Sequence, residues 1–385
     1  MDESQQEPVV ARILLPDDAN PAGNVHGGTI LQLMEQAGII VATRFVNNTN
    51  RNGNGNGNDT DRQYDGEKYA VLTRFETMSF HRPMFIGNVA SVTAYIIFTS
   101  ERSVLLNVIV TAEDIAKGSK KITNSGLMWY TCFVRRTTTS TTTQSSSSGS
   151  SVFLVPVPQI LPPEGKSGPK FDEYTKAQLL YEMRKNGTME EKYDDDSEDY
   201  NNFMYDVTHE TPTTIPKTPS DSQQQLCQMV LPSDCTYRSQ IAFGGFVMKL
   251  MDNAAGCCAY RHCRTNVVTA SISAMDLTNF IRLGDVVTID AKLLFCSSKS
   301  MEISVTATSS SIRKTTTATA AANENDNDNE TVVVAKGIYT FVSLDTNGKP
   351  LNVPKVRYET ETELKQAYVA KRKYEQAKKK RMMMK

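Results

Sequence analysis

The chain repeats itself, and the repeat constrains its fold more than any single motif. Gly27-Gly28-Thr29-Ile30-Leu31-Gln32-Leu33-Met34-Glu35 runs beside Gly244-Gly245-Phe246-Val247-Met248-Lys249-Leu250-Met251-Asp252 at a constant offset of 217 residues. That offset pairs Gly28 with Gly245, Glu35 with Asp252 and Arg44 with Arg261. Upstream, Leu15-Pro16-Asp17-Asp18 is echoed by Leu231-Pro232-Ser233-Asp234. Downstream, Gly87-Asn88-Val89 matches Gly284-Asp285-Val286, Phe98 to Ser103 matches Phe295 to Ser300, and Val157-Pro158 matches Val353-Pro354. The order is kept throughout, so each half is one copy of the same domain. A length of 385 residues accommodates two ordinary domains and their linkers.

Each copy has the same secondary-structure pattern. Ile30, Leu33, Met34, Ala37 and Val41 follow helical spacing, and Val247, Leu250, Met251, Ala254 and Cys258 repeat it. Few long charged side chains interrupt either run, which predicts largely buried helices. Strand-type runs follow: Ala70 to Phe75, Val89 to Phe98, Val104 to Thr111 and Leu127 to Phe133. In the second copy they are Val267 to Ile272, Val286 to Phe295, Met301 to Ala307 and Val332 to Val342. One long helix followed by antiparallel strands predicts an α+β domain whose sheet curls around the helix.

The expected division is a first domain over residues 8–160, a linker over 161–222, a second domain over 223–356 and a charged C-terminal helix over 357–385. Within the linker, Phe171 to Lys185 reads as a helix and Asp194 to Asp199 as a solvated acidic run. Phe171 to Lys185 and Glu359 to Arg381 occupy equivalent positions after their domains and read as solvent-facing struts. Asn47 to Asn58, Thr137 to Ser151 and Thr306 to Glu330 are low-complexity polar tracts, read as loop expansions outside the core.

Composition narrows the function. A formal net charge of -1 gives no global field to recruit nucleic acid or an anionic membrane. The 7 cysteines lack regular spacing and read as reduced thiols rather than a disulfide framework. Met1 to Val9 has neither a secretory nor a transit pattern, and no apolar run approaches the ~20 residues of a spanning helix, so the cytosol is expected. Cys257, Cys258, His262 and Cys263 lack a second Cys-x-x-Cys pair, and adjacent cysteines on a helix point to different sides, so no metal is expected. The sequons at Asn47, Asn58 and Asn186 have no secretory context and are not expected to carry glycans.

Two features carry chemistry. Gly23-Asn24-Val25-His26-Gly27-Gly28 leads straight into the first helix, where free N–H groups can polarise a carbonyl oxygen. Each helix also carries a carboxylate, Glu35 or Asp252, in apolar surroundings that ordinarily exclude one. Asp252 lies seven residues beyond Gly245, roughly 10 Å along its own helix, and cannot act at that helix's start. With the two helices side by side, Asp252 would face the entrance of the first helix. One site then joins Asn24, His26 and Gly28 to Asp252; the other joins Ile241, Phe243 and Gly245 to Glu35. Only the first keeps a polar orienting group and the shorter acid. Structural readings stand beside these: Glu35 as an ion-pair partner of Arg44 or a linker lysine, and His26 as a packing or capping residue.

The run Arg12 to Arg44, with Pro16-Asp17-Asp18-Ala19-Asn20 and the glycine motif, resembles the first domain of the double hotdog acyl-CoA thioesterases. Leu250-Met251-Asp252, Arg261-His262-Cys263 and Lys299-Ser300-Met301-Glu302 resemble that family's second domain. The resemblance spans nearly the whole chain apart from the polar tracts. It implies a tandem hotdog fold, a trimer of such chains, and hydrolysis of fatty acyl-CoA, with no cofactor beyond the coenzyme A of the substrate. By motif position the family's active pair maps onto Asn24 and Asp252. The chain departs from the family at Phe243, where a His-Gly-Gly motif is usual. The expected mechanism binds the thioester carbonyl at Gly27 and Gly28, with Asp252 as general base or as nucleophile and Asn24 orienting the water or the carbonyl. Two other classes compete: an acyl-thioester hydratase or dehydratase using His26 with an acid, and a non-catalytic acyl-CoA-binding protein.

Overall fold

The computed structural model describes residues 9–20, 23–48, 68–76, 78–137, 150–163, 168–186, 198–209, 216–236, 240–311 and 331–383. Residues 1–8, 49–58, 138–149, 194–197 and 312–330, on which the N-terminal, polar-tract and acidic-run expectations largely fall, lie outside the described residues.

The first copy opens on strand β1 (Val10–Ile13), continues through helix α1 (Gly27–Asn48), and then forms β2 (Lys68–Phe75), β3 (Met78–Phe80), β4 (Val89–Thr99), β5 (Ser103–Asp114), β6 (Ser119–Thr137) and β7 (Ser150–Leu154). Between the copies run α2 (Pro169–Lys185), α3 (Glu198–His209) and the single turn α4 (Pro219–Ser222). The second copy repeats the plan as β8 (Gln224–Met229), α5 (Gly244–Cys263), β9 (Asn266–Ile272), β10 (Met275–Asp276), β11 (Val286–Cys296), β12 (Ser300–Ser310) and β13 (Thr331–Leu344). Helix α6 (Glu361–Met383) follows it.

Every sequence-predicted strand and helix is present, and the structure adds short strands and turns; the ends of the Thr137 to Ser151 tract join β6 and β7. A short strand precedes each long helix; β1 has only four residues, too few for periodicity to detect. Thr306 to Ser310, assigned to a polar loop from composition, instead continues β12 with alternating burial. Hydroxyl and alanine side chains satisfy a half-buried strand as well as a loop. The acidic run ends in α3, whose Tyr200 and Phe203 are one turn apart and bury themselves against Ala367 and Tyr368 of α6.

All strand pairs are antiparallel, in the order β1-β4-β5-β6-β3-β9-β13-β12-β11-β8. The two copies join edge to edge: β3 pairs β9 through Met78↔Ile272 and Ser79↔Ser271, and β2 pairs β10 through Phe75↔Met275 and Arg74↔Asp276. One continuous sheet therefore carries both long helices. Leu31, Met34 and Ala37 of α1 and Met248, Met251 and Cys258 of α5 are buried in a single hydrophobic core shared by both halves. Each large apolar side chain so buried contributes about 1.5–3 kcal/mol. The helix α2, expected as a solvent-facing strut, also caps the outer sheet face over Phe98, Leu105 and Trp129 with Tyr174, Ala177 and Tyr181.

The glycine pairs explain how the helices meet. A Cβ on Gly28 would lie 2.7 Å from the Lys249 Cα, and one on Gly245 would lie 2.8 Å from the Gln32 Cα. Backbone cannot swing aside as a side-chain tip can, so only glycine permits this approach. The repeat thus places its two closest helix contacts beside the two carboxylates.

Candidate active site

The entrance to α1 is shaped by its own loop. Asp18 accepts hydrogen bonds from the Arg12 guanidinium at 2.7 and 2.8 Å and from the Leu15 N–H at 2.8 Å. Its carbonyl accepts the His26 N–H at 2.9 Å, and Gly23 takes φ +80° to turn the chain back toward the helix. Asn24 is held by its backbone: its N–H donates to the Asn20 Oδ1 at 3.1 Å, and its carbonyl accepts the Asn20 N–H at 2.6 Å. The half-buried Asn24 carboxamide has no hydrogen-bond partner among the described residues. The second copy builds the same loop, with the Asp234 carbonyl accepting the Phe243 N–H at 2.9 Å and Gln240 at φ 53° in the place of Gly23.

Asp252 crosses from the second copy to this entrance. Its carboxylate is buried; Oδ2 accepts the Gly28 N–H at 2.8 Å and Oδ1 accepts the Thr269 hydroxyl at 2.7 Å. Burial raises the Asp252 pKa above the usual aspartate value, and the Thr269 and Gly28 hydrogen bonds and the nearby His26 only partly oppose it. His26 is shifted down, first by burial and then by Lys249, against the attraction of Asp252 and Asp18. A Cβ on Gly27 would lie within 3.0–3.2 Å of Thr269 Oγ1, Phe80 Cζ and Asp252 Oδ1, so the helix start, both strands and the acid converge there.

Two details differ from the sequence reading. The Gly28 N–H is occupied by Asp252, so the helix-entrance donor without a partner among the described residues is the Gly27 N–H. Thr269 is one threonine among many in the sequence and carries no signal there. Strand register against the first copy would have isolated it: Thr269 pairs Phe341 as Leu72 pairs Tyr130.

The matching position around Glu35 is apolar. Ile241 and Phe243 replace Asn24 and His26, while the Gly244 Cβ direction meets Leu72 and Leu277 where Gly27 meets Thr269 and Phe80. Glu35 accepts the Gly244 N–H, one residue earlier than the Gly28 that Asp252 takes, and its other oxygen has no partner among the described residues. Burial pushes its pKa to about 8. The expected ion pair with Arg44 or a linker lysine is absent among the described residues: Arg44 is exposed, and no cation reaches this carboxyl.

The cysteine-histidine group is structural. His262 is buried, with Nδ1 at 3.1 Å from the Ser222 hydroxyl and Nε2 at 2.9 Å from the Pro354 carbonyl, which ties the end of α5 to the flanking segments. Cys258 is buried and Cys257 exposed. No cluster of three or more His, Cys, Asp or Glu among the described residues is arranged to hold a metal ion, and none of the described helices is long and apolar enough to cross a membrane.

The thioesterase superfamily model matches residues 22–119 and 239–316, once in each copy. The chain is 36% identical over 373 residues to the cytosolic acyl coenzyme A thioester hydrolase of Rattus norvegicus, covering 97% of this chain and 83% of that protein. It is likewise 36% identical over 376 residues to the Homo sapiens protein of that name, covering 97% and 84%. Among solved structures, an acyl-CoA hydrolase from Bacillus cereus is similar at 27% identity and a TM-score of 0.37, covering 44% of this chain and 98% of that one. The similarity over 97% of this chain and the twice-matched superfamily model agree with the internal repeat: the chain belongs to the family of cytosolic acyl coenzyme A thioester hydrolases.

Proposed function

We propose that this chain hydrolyses fatty acyl-CoA thioesters to free fatty acid and coenzyme A in the cytosol, as a tandem double hotdog with one active site between its halves. The observation that supports the site most directly is the 2.8 Å hydrogen bond from the Gly28 N–H to Asp252, a carboxylate of one copy at the helix entrance of the other. The division into domains over 8–160 and 223–356, with linker and terminal helices outside them, belongs to the same reading.

In this mechanism the thioester carbonyl sits at the Gly27 N–H, at the positive end of α1, where a developing oxyanion is stabilised. Asp252 acts as general base. The Gly28 N–H and the Thr269 hydroxyl fix its two oxygens in place, each with a lone pair left to accept a proton, and burial raises its pKa toward neutral pH. The water gives one proton to Asp252 and its oxygen bonds to the carbonyl carbon. The tetrahedral intermediate then expels the thiolate, which takes the proton from Asp252. Asn24, whose amide has no partner among the described residues, orients the carbonyl or the water, and His26, its pKa lowered by burial, stays neutral beside it. No cofactor is required beyond the coenzyme A of the substrate.

Assembly as a trimer fits this reading. The edge strands and the turns after them expose matched apolar pairs, Ile13 with Leu15 and Met229 with Leu231, each about half exposed. The decisive experiment is thiol release from a long-chain acyl-CoA. Asp252→Asn is expected to lower kcat by about a hundredfold or more with the fold intact. Near-wild-type hydrolysis by Asp252→Asn would remove the site assignment, and conversion of enoyl-CoA without thiol release would favour a hydratase.

A further inference from the structure

Two tyrosines lie buried beneath the long helices, and they differ in one respect. The Tyr130 hydroxyl, on β6, donates to the Glu35 backbone carbonyl at 3.2 Å. The Tyr339 hydroxyl, on β13, is fully buried and meets no hydrogen-bond partner among the described residues. Burying an unpaired hydroxyl costs free energy that phenylalanine would avoid, so such a group in a native interior calls for a partner during function.

Its position identifies that partner. Tyr339 pairs with Ile272 of β9, and Phe341, two residues on and on the same sheet face, pairs with Thr269, the residue that holds Asp252. Burial, and after it the nearby Asp252 charge, keep the Tyr339 hydroxyl protonated. The repeat sharpens the argument. Ile303 pairs with Tyr339 as Leu106 pairs with Met128, so the equivalent position in the first copy is a methionine. The hydroxyl is therefore present on the side that has Asn24, Thr269 and Asp252. It is absent on the side where Ile241, Leu72 and Glu35 stand.

We propose that Tyr339 positions the attacking water: its hydroxyl oxygen accepts one hydrogen of the water whose other hydrogen passes to Asp252. The water lone pair is thereby fixed on the thioester carbon. This inference rests on Asp252 being the base. One new C–O bond forms, the C–S bond breaks, and the proton taken by Asp252 leaves on the thiol, so no other reactant is needed.

The test uses the full chain and a long-chain acyl-CoA, with Tyr339→Phe, Tyr339→Met and Asp252→Asn measured together. A water held by one anchor instead of two predicts a kcat about tenfold lower in both Tyr339 variants, the scale of one lost hydrogen bond. KM is expected to stay within about twofold and the melting temperature to be unchanged or higher, since an unpaired buried hydroxyl is removed. A kcat within about twofold of wild type in Tyr339→Phe, beside an inactive Asp252→Asn, overturns the Tyr339 assignment alone. A lower melting temperature in Tyr339→Phe also overturns it, since the hydroxyl would then serve the fold. Activity retained in Asp252→Asn overturns the underlying reading instead.

Discussion

Glu35 offers a quantitative test of the helix pair. Its carboxyl is buried between α1 and α5, one oxygen accepts the Gly244 N–H, and no cation compensates it among the described residues. Its pKa is therefore raised from the ordinary 4.5 to about 8. Below 4.5 both folded and unfolded chains are protonated at this position, and the folded state keeps its full stability. Between 4.5 and about 8 the unfolded chain releases the proton while the folded chain retains it, so stability falls as pH rises. Each pH unit in that window costs about 1.4 kcal/mol, for a total on the order of 5 kcal/mol, and no further loss occurs above it. Glu35→Gln keeps the shape and the acceptor for Gly244 but cannot titrate. The substitution is expected to be near neutral at about pH 5 and stabilising by several kcal/mol at about pH 8.5, with hydrolysis retained because Glu35 lies on the apolar side. Urea denaturation of both proteins at those two pH values is the assay. Equal pH dependence in wild type and Glu35→Gln would refute the neutral, uncompensated carboxyl.

Three further outcomes follow from the same geometry. Thr269→Val removes a hydrogen bond that lowers the Asp252 pKa, so the acid limb of the pH–rate profile is expected to move up, with kcat down about tenfold at neutral pH. Gly28→Ala would place a methyl 2.7 Å from the Lys249 Cα and force the helices apart, costing about 1–3 kcal/mol in denaturant titrations and moving Asp252 off its donor. The Lys217 ammonium closes the C-terminal end of α5 by donating to the Arg261 and His262 carbonyls at 2.6 and 2.7 Å. Lys217→Met is expected to lower stability by about 1 kcal/mol with kcat unchanged.

Much of this arrangement was legible because the chain carries its own comparison. The 217-residue offset aligns the two helices, and the helix rise alone shows that Asp252 cannot serve its own helix entrance. Contrasting Asn24 with Ile241 and His26 with Phe243 then identifies the more polar side without any coordinates. What stayed hidden depended on strand register. Thr269 and Tyr339 are ordinary strand residues in sequence, and they gain meaning once β9 and β13 bring them beneath α5. Glu35 lacks the expected ion pair because nine residues place Arg44 on the opposite face of α1, where it points to solvent, and a backbone N–H from the other copy meets the carboxyl instead.

On the proposed reading, the difference between the two acids accounts for a single site in a duplicated domain. Glutamate is one methylene longer than aspartate, and it meets Gly244 where Asp252 meets Gly28, the residue after Gly244's counterpart. With Leu72 in the place of Thr269 and Met128 in the place of Tyr339, burial outweighs the one Gly244 N–H that favours an ionised carboxylate, and the acid is driven neutral. A neutral acid is a poor base, so on this reading loss of the surrounding polar groups leaves the second copy's acid unable to serve as one even in position. Restoring catalysis there therefore requires the polar set together. Exchanging Glu35 for aspartate alone is expected to give no second site, and a doubled kcat from Glu35→Asp in an Asp252-intact chain would contradict this account.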